Sequence, residues 1–253
     1  MQEYTLHAYF RSSCSARLRI LLHLKDIPYQ LQTVNLLQDQ HLSDQHRALN
    51  PSASVPLLVC PAPDRRDQDH DHDQDQDHDR EHAPGFCIGQ SLAAMEYLEE
   101  THPAVPVLPP RSQPRTRALV RVLCCIIAAD TQPVTNLRIT RRVRALGGDA
   151  DDWNRALMDE GLRAYEAVAR DSAGRYSVGD LITMADACLM PAVWNARRVG
   201  IDVCSAASAS DFPTIARVVR NLSEHPAVKA AEYFRQPDCP DHLRQQAVGE
   251  EGE

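Results

Sequence analysis

The sequence predicts a two-part fold, an α/β N-terminal domain followed by an all-helical C-terminal domain. Up to residue 60, short strand-like runs alternate with apolar residues at helical spacing. Residues 101–114 then contain five prolines, which is typical of a linker. From residue 115 on, apolar residues recur only at helical spacing. We therefore expect a first domain over residues 1–103, a linker over 104–114 and a helical domain over 115–253.

Composition fits a globular protein and argues against a nucleic-acid-binding one. The chain has 253 residues, 43% of them hydrophobic, which is enough for one large or two modest domains. Its formal charge is −8. Residues 64–82 hold eight Asp and one Glu against three Arg, a net charge of −6. The remainder is near neutral, without the basic surface that nucleic acids require.

The cysteines and the N-terminus indicate a cytoplasmic protein. Eight cysteines occur without a Cys-x-x-Cys pair or a regular spacing, so we expect reduced thiols and no structural metal site. Met1–Phe10 lacks the features of a signal peptide. The longest apolar run, Val122–Ala129, is too short to span a bilayer, so no membrane partner is expected.

The first turn of the chain concentrates hydroxyls and a thiol. Residues 4–9 have the composition of a strand, and residues 16–25 have the apolar spacing of a helix. Between them lies Ser12–Ser15. A helix N-terminus stabilises an anion, including a thiolate. Taken alone, Ser12 or Ser13 is better explained as a helix N-cap than as a thiolate-binding residue.

The next elements continue a sheet. Apolar and polar residues alternate over residues 27–34, which predicts a second strand. Because a short helix connects it to the first strand, we expect the two strands to be parallel neighbours. Residues 41–49 form a short helix, and residues 55–60 a third strand. Pro56 opens that strand, and general frequencies favour an ordinary trans bond over a cis bond that would turn the preceding backbone outward.

Residues 61–85 form an insertion. Asp67–Asp79 has no apolar residue, so we expect disorder. His70, His72 and His78 with the aspartates allow loose metal binding, but a solvated low-complexity segment explains the composition better. Strand-like residues on both sides, 57–60 and 86–89, make it an expanded hairpin loop.

The remaining segments are predicted to be helical. Residues 90–100 form a helix with Ser91 as N-cap. Thr183 and Asp186 form a capping box before a buried helix. Further helices are expected at residues 115–139, 153–170, 212–222 and 226–234, with a frayed tail at 249–253.

Motifs along nearly the whole chain resemble the glutathione transferase family, in particular its zeta class. The motifs are Ser12–Ser15 with Arg17–Arg19, Ala48–Pro51, Val55–Pro56, Gln90–Leu92, Glu96–Glu100, Gln132–Pro133 with Asn136–Leu137, Val178–Asp180, Ile182–Asp186 and Arg235–Asp238. The resemblance implies the glutathione transferase fold, a thioredoxin-like N-terminal domain and an all-α C-terminal domain. It also implies glutathione as the cofactor, a homodimer, and a cis bond before Pro56.

The resemblance also implies a set of site residues. Ser12, Ser13 and Cys14 would lie at the glutathione sulfur, and we favour Ser12 as the hydroxyl that donates to the thiolate. The expected glutathione contacts are Ser12, Ser13, Cys14, Ser15, Arg17, His41, Val55, Gln90, Ser91, Gln132, Asn136 and Leu137. The chain departs from the family at His41, where glutamine is frequent, at Arg138, where a small polar residue is usual, and in the insertion 61–85.

The activity implied is glutathione-dependent cis–trans isomerisation of maleylacetoacetate to fumarylacetoacetate, a step of tyrosine and phenylalanine breakdown. Thiolate addition to the double bond, rotation and elimination would produce the trans isomer. Arg11 and Arg198 are candidates for the carboxylates of this small dicarboxylate substrate, although a solvated helix face explains Arg198 equally well. Two alternatives stay open: a zeta-type activity on small α-halo acids, and a non-catalytic transferase-like module that binds partners.

Overall fold

A four-stranded sheet forms the centre of the N-terminal half. The structure, a computed structural model, describes residues 3–61, 86–206, 208 and 210–250, so nearly all of the predicted insertion, including its histidines, lies outside the described residues. The strands are β1 (Tyr4–Ala8), β2 (Tyr29–Thr33), β3 (Leu57–Val59) and β4 (Cys87–Ile88). Their order is β2-β1-β3-β4, with β1 parallel to β2 and antiparallel to β3.

The hairpin predicted around the insertion is confirmed. β3 and β4 pair antiparallel, with Leu58 opposite Ile88 and Val59 opposite Cys87. Beyond the last pair, the Cys60 N–H donates to the Phe86 carbonyl at 2.8 Å. The insertion therefore leaves the sheet and returns to it at neighbouring points of one edge.

Helices α1 (Ser13–Leu24), α2 (Asp44–Leu49) and α3 (Ser91–Thr101) complete this half. The predicted start of the first helix at Ala16 is wrong, because the polar residues 13–15 are already helical and Ser12 is the N-cap. Ser91 as N-cap is also wrong: Gln90 holds that position, and Ser91 is the first helical residue. The peptide bond before Pro56 is cis, as the resemblance implies.

Among the described residues, the regular elements of the C-terminal half are helices, and one isolated β-bridge joins Ala173 to Gly179. Its helices are α4 (Pro114–Cys125), α5 (Gln132–Thr135), α6 (Leu137–Ala145), α7 (Ala150–Ala169), α8 (Met184–Arg197), α9 (Pro213–Ser223), α10 (Pro226–Ala231) and α11 (Asp241–Glu250). Helix α11 was not predicted beyond a frayed tail, because its apolar residues are few and weakly periodic.

The single helix predicted over residues 115–139 is wrong. A π-helical segment, Ile126–Thr131, follows α4, and Asn136 adopts an extended conformation that ends α5. The Thr131 hydroxyl donates to the Ile126 carbonyl at 2.7 Å, within that wide turn. Gly161 of α7 lies directly against Thr131, where a Cβ atom would clash.

The predicted capping box of α8 is confirmed. The Thr183 N–H and hydroxyl donate to one Asp186 carboxylate oxygen at 2.7 and 2.9 Å, and the Ser177 N–H donates to the other at 2.8 Å. Asp186 is fully buried, so these bonds replace its hydration. They fix the start of the helix that faces α1.

Helix α1 lies at the junction of the two halves. It packs against α8 and α10 on one side and α3 on another, within one hydrophobic core. The stretch Pro114–Ala145 is long and apolar enough to be compared with a membrane span, but Val120, Leu123 and Ile127 are buried in that core, as in a core helix. No disulfide joins the eight cysteines, all of which lie among the described residues.

Candidate active site

The N-terminus of α1 presents unpaired backbone donors. The Ser12 side chain accepts from the Ser15 N–H at 3.1 Å, and its carbonyl accepts from the Ala16 N–H at 2.9 Å. The N–H groups of Ser13 and Cys14 have no acceptor among the described residues. Together with the helix dipole, they form a small site for an anion.

A buried arginine lies beneath this turn. Arg17 is 1% exposed, and its Nη1 donates to the Ser91 hydroxyl at 3.0 Å, whereas Nε and Nη2 have no partner among the described residues. Burial lowers the pKa of Arg17, but nearby thiols, Cys14 foremost, raise it by more. A buried guanidinium with open donors is costly unless an anion lies near. Through Ser91, Arg17 also connects α1 to the N-terminus of α3, where Gln90 is exposed.

Two further arginines share a cleft with Ser12. The cleft, of about 250 Å³, is bordered by Arg11, Ser12, Ser13, Asn195 and Arg198. Arg11 has no hydrogen bond or ion pair within the described part of the chain, and Arg198 makes one long bond, 3.4 Å, to the Asn195 side chain. Burial and the charge of Arg11 lower the pKa of Arg198 to about 10, although the residue as a whole is exposed to solvent. Arginine remains charged near neutral pH, so the cleft holds unbalanced positive charge.

A second cavity shares two lining residues with the first, Ser13 and Asn195. Its volume is about 330 Å³, and its polar lining includes Arg17 and Gln132. The apolar lining comes from Ile127, Met158, Leu162 and Ala192. Gln132 therefore lies in the same region as the α1 N-terminus, which a glutathione contact must do.

The loop before β3 is held by a buried amide. Asn50 donates to the Ser54 carbonyl at 2.8 Å and lies against Gly89, where a Cβ atom would approach its oxygen to 2.7 Å. These contacts fix Val55, which is buried beside the cis bond. Asn50 thus connects the loop before β3 with Gly89, which lies just before α3.

Of the twelve predicted glutathione contacts, eight do not border either cavity as far as the structure describes them: Cys14, Ser15, His41, Val55, Gln90, Ser91, Asn136 and Leu137. The Asn136 side chain caps α6, accepting from the Ile139 N–H at 3.1 Å. His41 lies in the 3₁₀ turn Gln40–Leu42, where its Nδ1 is buried and has no partner within the part of the chain that the structure describes. Burial lowers the pKa of His41.

Seven residues of the Ser12 cleft were not among the predicted site residues: Phe10, Ala16, Arg19, Pro191, Trp194, Asn195 and Tyr233. Asn195 carried a usable signal, because it precedes Arg198 by three residues and so shares its helix face. Tyr233 carried none, since it reaches the cleft from the far end of the chain. Among the described residues, no group of acidic, histidine or cysteine side chains could hold a metal ion.

Comparison with known proteins finds a matching family model for each half of the chain. The family model "Glutathione S-transferase, N-terminal domain" matches residues 11–101, and "Glutathione S-transferase, C-terminal domain" matches residues 149–235. The chain is 50% identical over 242 residues to maleylacetoacetate isomerase maiA of Aspergillus fumigatus, covering 95% of this chain and 94% of that protein.

Two solved structures extend the similarity. Maleylacetoacetate isomerase from Anaeromyxobacter dehalogenans, with dicarboxyethyl glutathione and citrate bound in its active site, is 33% identical with a TM-score of 0.76, covering 96% of each chain. A bacterial maleyl pyruvate isomerase, described as a zeta-class glutathione S-transferase in its holo form, is also 33% identical with a TM-score of 0.76, covering 93% of this chain and 100% of that one.

Proposed function

The chain belongs to the glutathione S-transferase family, and we propose that it acts as a zeta-class, glutathione-dependent isomerase that converts maleylacetoacetate to fumarylacetoacetate in tyrosine and phenylalanine breakdown. The similarity to isomerases covers almost the entire chain at up to 50% identity. The observation that carries the proposal is the junction of an anion-stabilising helix N-terminus with two unbalanced arginines in one cleft.

The residues at the α1 N-terminus fit a glutathione thiolate. When bound, glutathione supplies a nucleophilic sulfur that adds reversibly to the substrate double bond, so that rotation becomes possible. The Ser13 and Cys14 N–H groups are open donors, and the Ser12 hydroxyl, which already accepts from Ser15, can donate its own proton to the sulfur. Arg17 adds buried positive charge. Each of these favours the ionised thiol.

The proposed contacts with the rest of glutathione follow the family pattern. Val55 offers its backbone to the cysteinyl part. Gln90 and Ser91, at the N-terminus of α3, hold the γ-glutamyl carboxylate, and the bond from Arg17 fixes the Ser91 hydroxyl. The helical domain contributes Gln132, Asn136 and Leu137, and the turn before α2 contributes His41. Ser15 supports the turn from inside the core.

Arg11 and Arg198 select the substrate. Their guanidinium groups lie in the cleft that contains Ser12, and neither has a charged partner within the described residues. A carboxylate between them relieves their mutual repulsion and gains charge-assisted hydrogen bonds. Stabilisation of the negative charge that develops on the substrate oxygen during the reaction would also come from these donors.

The direct test uses the purified protein with glutathione and maleylacetone, a cis analogue of the substrate. We expect conversion to the trans isomer that requires glutathione. Absence of turnover would remove the isomerase proposal. Turnover restricted to α-halo acids would identify the other zeta-type activity, and glutathione binding without either reaction would identify a binding module.

The cytoplasmic location, the homodimer and the lack of membrane or nucleic-acid partners belong to the same proposal. Family resemblance supports the homodimer, and the unevenly distributed negative charge argues against nucleic acid. Sedimentation of the full chain tests the oligomeric state, since a single species at the monomer mass contradicts it.

A further inference from the structure

Two charged side chains hold the peptide that leads into the cleft. The Phe10 N–H donates to Asp238 Oδ2 at 2.9 Å. Arg19 Nη2 donates to the Phe10 carbonyl at 3.1 Å, and Nη1 reaches the Tyr9 carbonyl at 3.5 Å. The same Tyr9 carbonyl accepts from the Ser12 N–H at 3.0 Å. Both polar groups of Phe10 are therefore bound by opposite charges.

Asp238 lies in a C-terminal segment that is itself tightly held. Gln236 is buried, and its amide donates to two carbonyl oxygens around the end of α10 at 3.0 and 2.8 Å. Arg244 of α11 donates to the carbonyls of Gln236 and Pro237 at 2.8 and 2.9 Å. Arg19 also contacts this region, through Nε and the Ala231 carbonyl at 3.3 Å. The carboxylate thus approaches Phe10 from a rigid support.

We propose that Asp238 and Arg19 are positioning residues for the isomerase reaction, acting through the Phe10 peptide on Arg11 and Ser12. The inference rests on the proposed function. The two residues that follow Phe10 border the cleft, so a rotation of this peptide redirects the Arg11 side chain and displaces the Ser12 hydroxyl. Displacements of about 1 Å near reacting groups can cost about a hundredfold in rate.

This role explains the motif Arg235–Asp238, which the chemistry of the cleft does not use directly. Gln236 fixes the segment through its two hydrogen bonds, and the Asp238 carboxylate accepts the hydrogen bond from the Phe10 N–H. A residue that only stabilised the fold would act differently: its loss would lower the unfolding temperature and leave the catalytic constants of the folded enzyme intact.

The test compares the full-length wild type with Asp238→Ala, Asp238→Asn and a control, Asp180→Ala. Asp180 is matched because its carboxylate accepts one backbone N–H, that of Arg175, at 2.7 Å in the loop between α7 and α8. The readouts are kcat and KM with maleylacetone, the pKa of the bound glutathione thiol and the unfolding temperature.

We expect Asp238→Ala to lower kcat by about tenfold to a hundredfold and to raise the thiol pKa. Asp238→Asn keeps an acceptor oxygen, so it should stay within about threefold of the wild type. Asp180→Ala should change the unfolding temperature alone. Wild-type kcat and thiol pKa in Asp238→Ala would overturn the positioning role. An equal loss in Asp238→Asn would also overturn it, because charge rather than the hydrogen bond would be responsible.

A further variant keeps the test decisive if Asp238→Ala does not fold. Asp238→Ser is smaller and uncharged, and its hydroxyl is too short to reach Phe10 as the carboxylate does. A folded Asp238→Ser enzyme with wild-type kcat contradicts the inference. A wild type without isomerase activity would defeat the proposed function instead, and the thiol pKa would then still report on Asp238.

Discussion

Ser12 has a structural role and, in the proposed function, a chemical one. Its oxygen accepts from the Ser15 N–H and so caps α1. Its hydroxyl proton is free to point at a ligand sulfur, because a hydroxyl accepts and donates at once. The two interpretations left open by the sequence, N-cap and thiol-binding residue, are therefore compatible.

Ser12→Ala separates these roles when Ser43→Ala is the control. Ser43 caps α2 in the same way, accepting from the His46 N–H at 3.3 Å. Each substitution should cost about 1 kcal/mol of unfolding free energy, measured by urea denaturation. Only Ser12→Ala should lower kcat with maleylacetone, by about a hundredfold. Equal kcat values for the two variants would assign the thiolate to another hydroxyl.

Arg198 and Arg197 form a second matched pair. Arg198 borders the cleft, whereas Arg197 makes an exposed ion pair with Asp202 at 3.5 Å. Arg198→Gln should lower kcat/KM for maleylacetone by about tenfold or more, the value of a charge-assisted hydrogen bond. Glutathione affinity should not change. Arg197→Gln should leave both constants near wild type, since exposed ion pairs contribute little. Similar effects of the two variants would remove Arg198 from the substrate site.

At the scale of the elements, helix starts show what local sequence can and cannot specify. The strand–turn–helix around Ser12 was predictable because β-branched and aromatic residues give way to helical spacing within a few positions. The exact start of α1 was not, since residues 13–15 are polar and carry no apolar period. Ser91 was mistaken for a cap because its hydroxyl is used by Arg17, a partner 74 residues away.

The break after α4 depends on a similar distant contact. Apolar spacing continues through residues 115–139, so periodicity predicts one helix. The π-helical turn forms where Thr131 packs against the bare backbone of Gly161. Neither residue signals this contact by itself, because it exists only when α7 packs beside the turn.

Gly161→Ala tests that contact. The added methyl group overlaps the Thr131 side chain, so we expect a loss of about 1–3 kcal/mol of unfolding free energy. Because Gln132 follows the turn directly, glutathione affinity should also fall. The double variant Gly161→Ala, Thr131→Ala should recover part of the stability. A stable single variant with normal affinity would show that the close approach has no consequence.

At the scale of the whole molecule, the candidate site is a convergence of four distant segments. The turn 11–14, α3, α8 and the C-terminal segment meet around α1. Sequence reasoning located the parts that motifs mark, such as Ser12 and Arg198. It could not locate Tyr233 or the hydrogen bond that Asp238 accepts from the Phe10 N–H, because nothing local indicates that the chain end returns to its beginning.

The histidines make the stability of the whole chain dependent on pH. Burial is the main cause that lowers the pKa of five of them, His7, His23, His41, His102 and His225. The unfolded chain therefore binds more protons than the folded one below about pH 6.5. Unfolding free energy should be level above about pH 7.5 and fall as the pH decreases towards 5.

Urea denaturation across this pH range measures the effect. His7→Gln should make the unfolding free energy depend less steeply on pH. The reason is that His7 is half-buried and lies near a second imidazole, His46, with 5.8 Å between ring centroids. Stability that stays constant, or rises, on acidification from about pH 7 to 5.5 would contradict the assignment of neutral histidines in the fold.

The central claim is that the N-terminus of α1, with Ser12, holds a glutathione sulfur as an anion. Ultraviolet titration of the thiolate in the complex of the full-length protein with glutathione measures this directly. The account predicts a bound thiol pKa below about 7, against about 8.5 for a free cysteine thiol, with an increase in Ser12→Ala. A bound thiol that titrates like the free one, in wild type and variant alike, would contradict it.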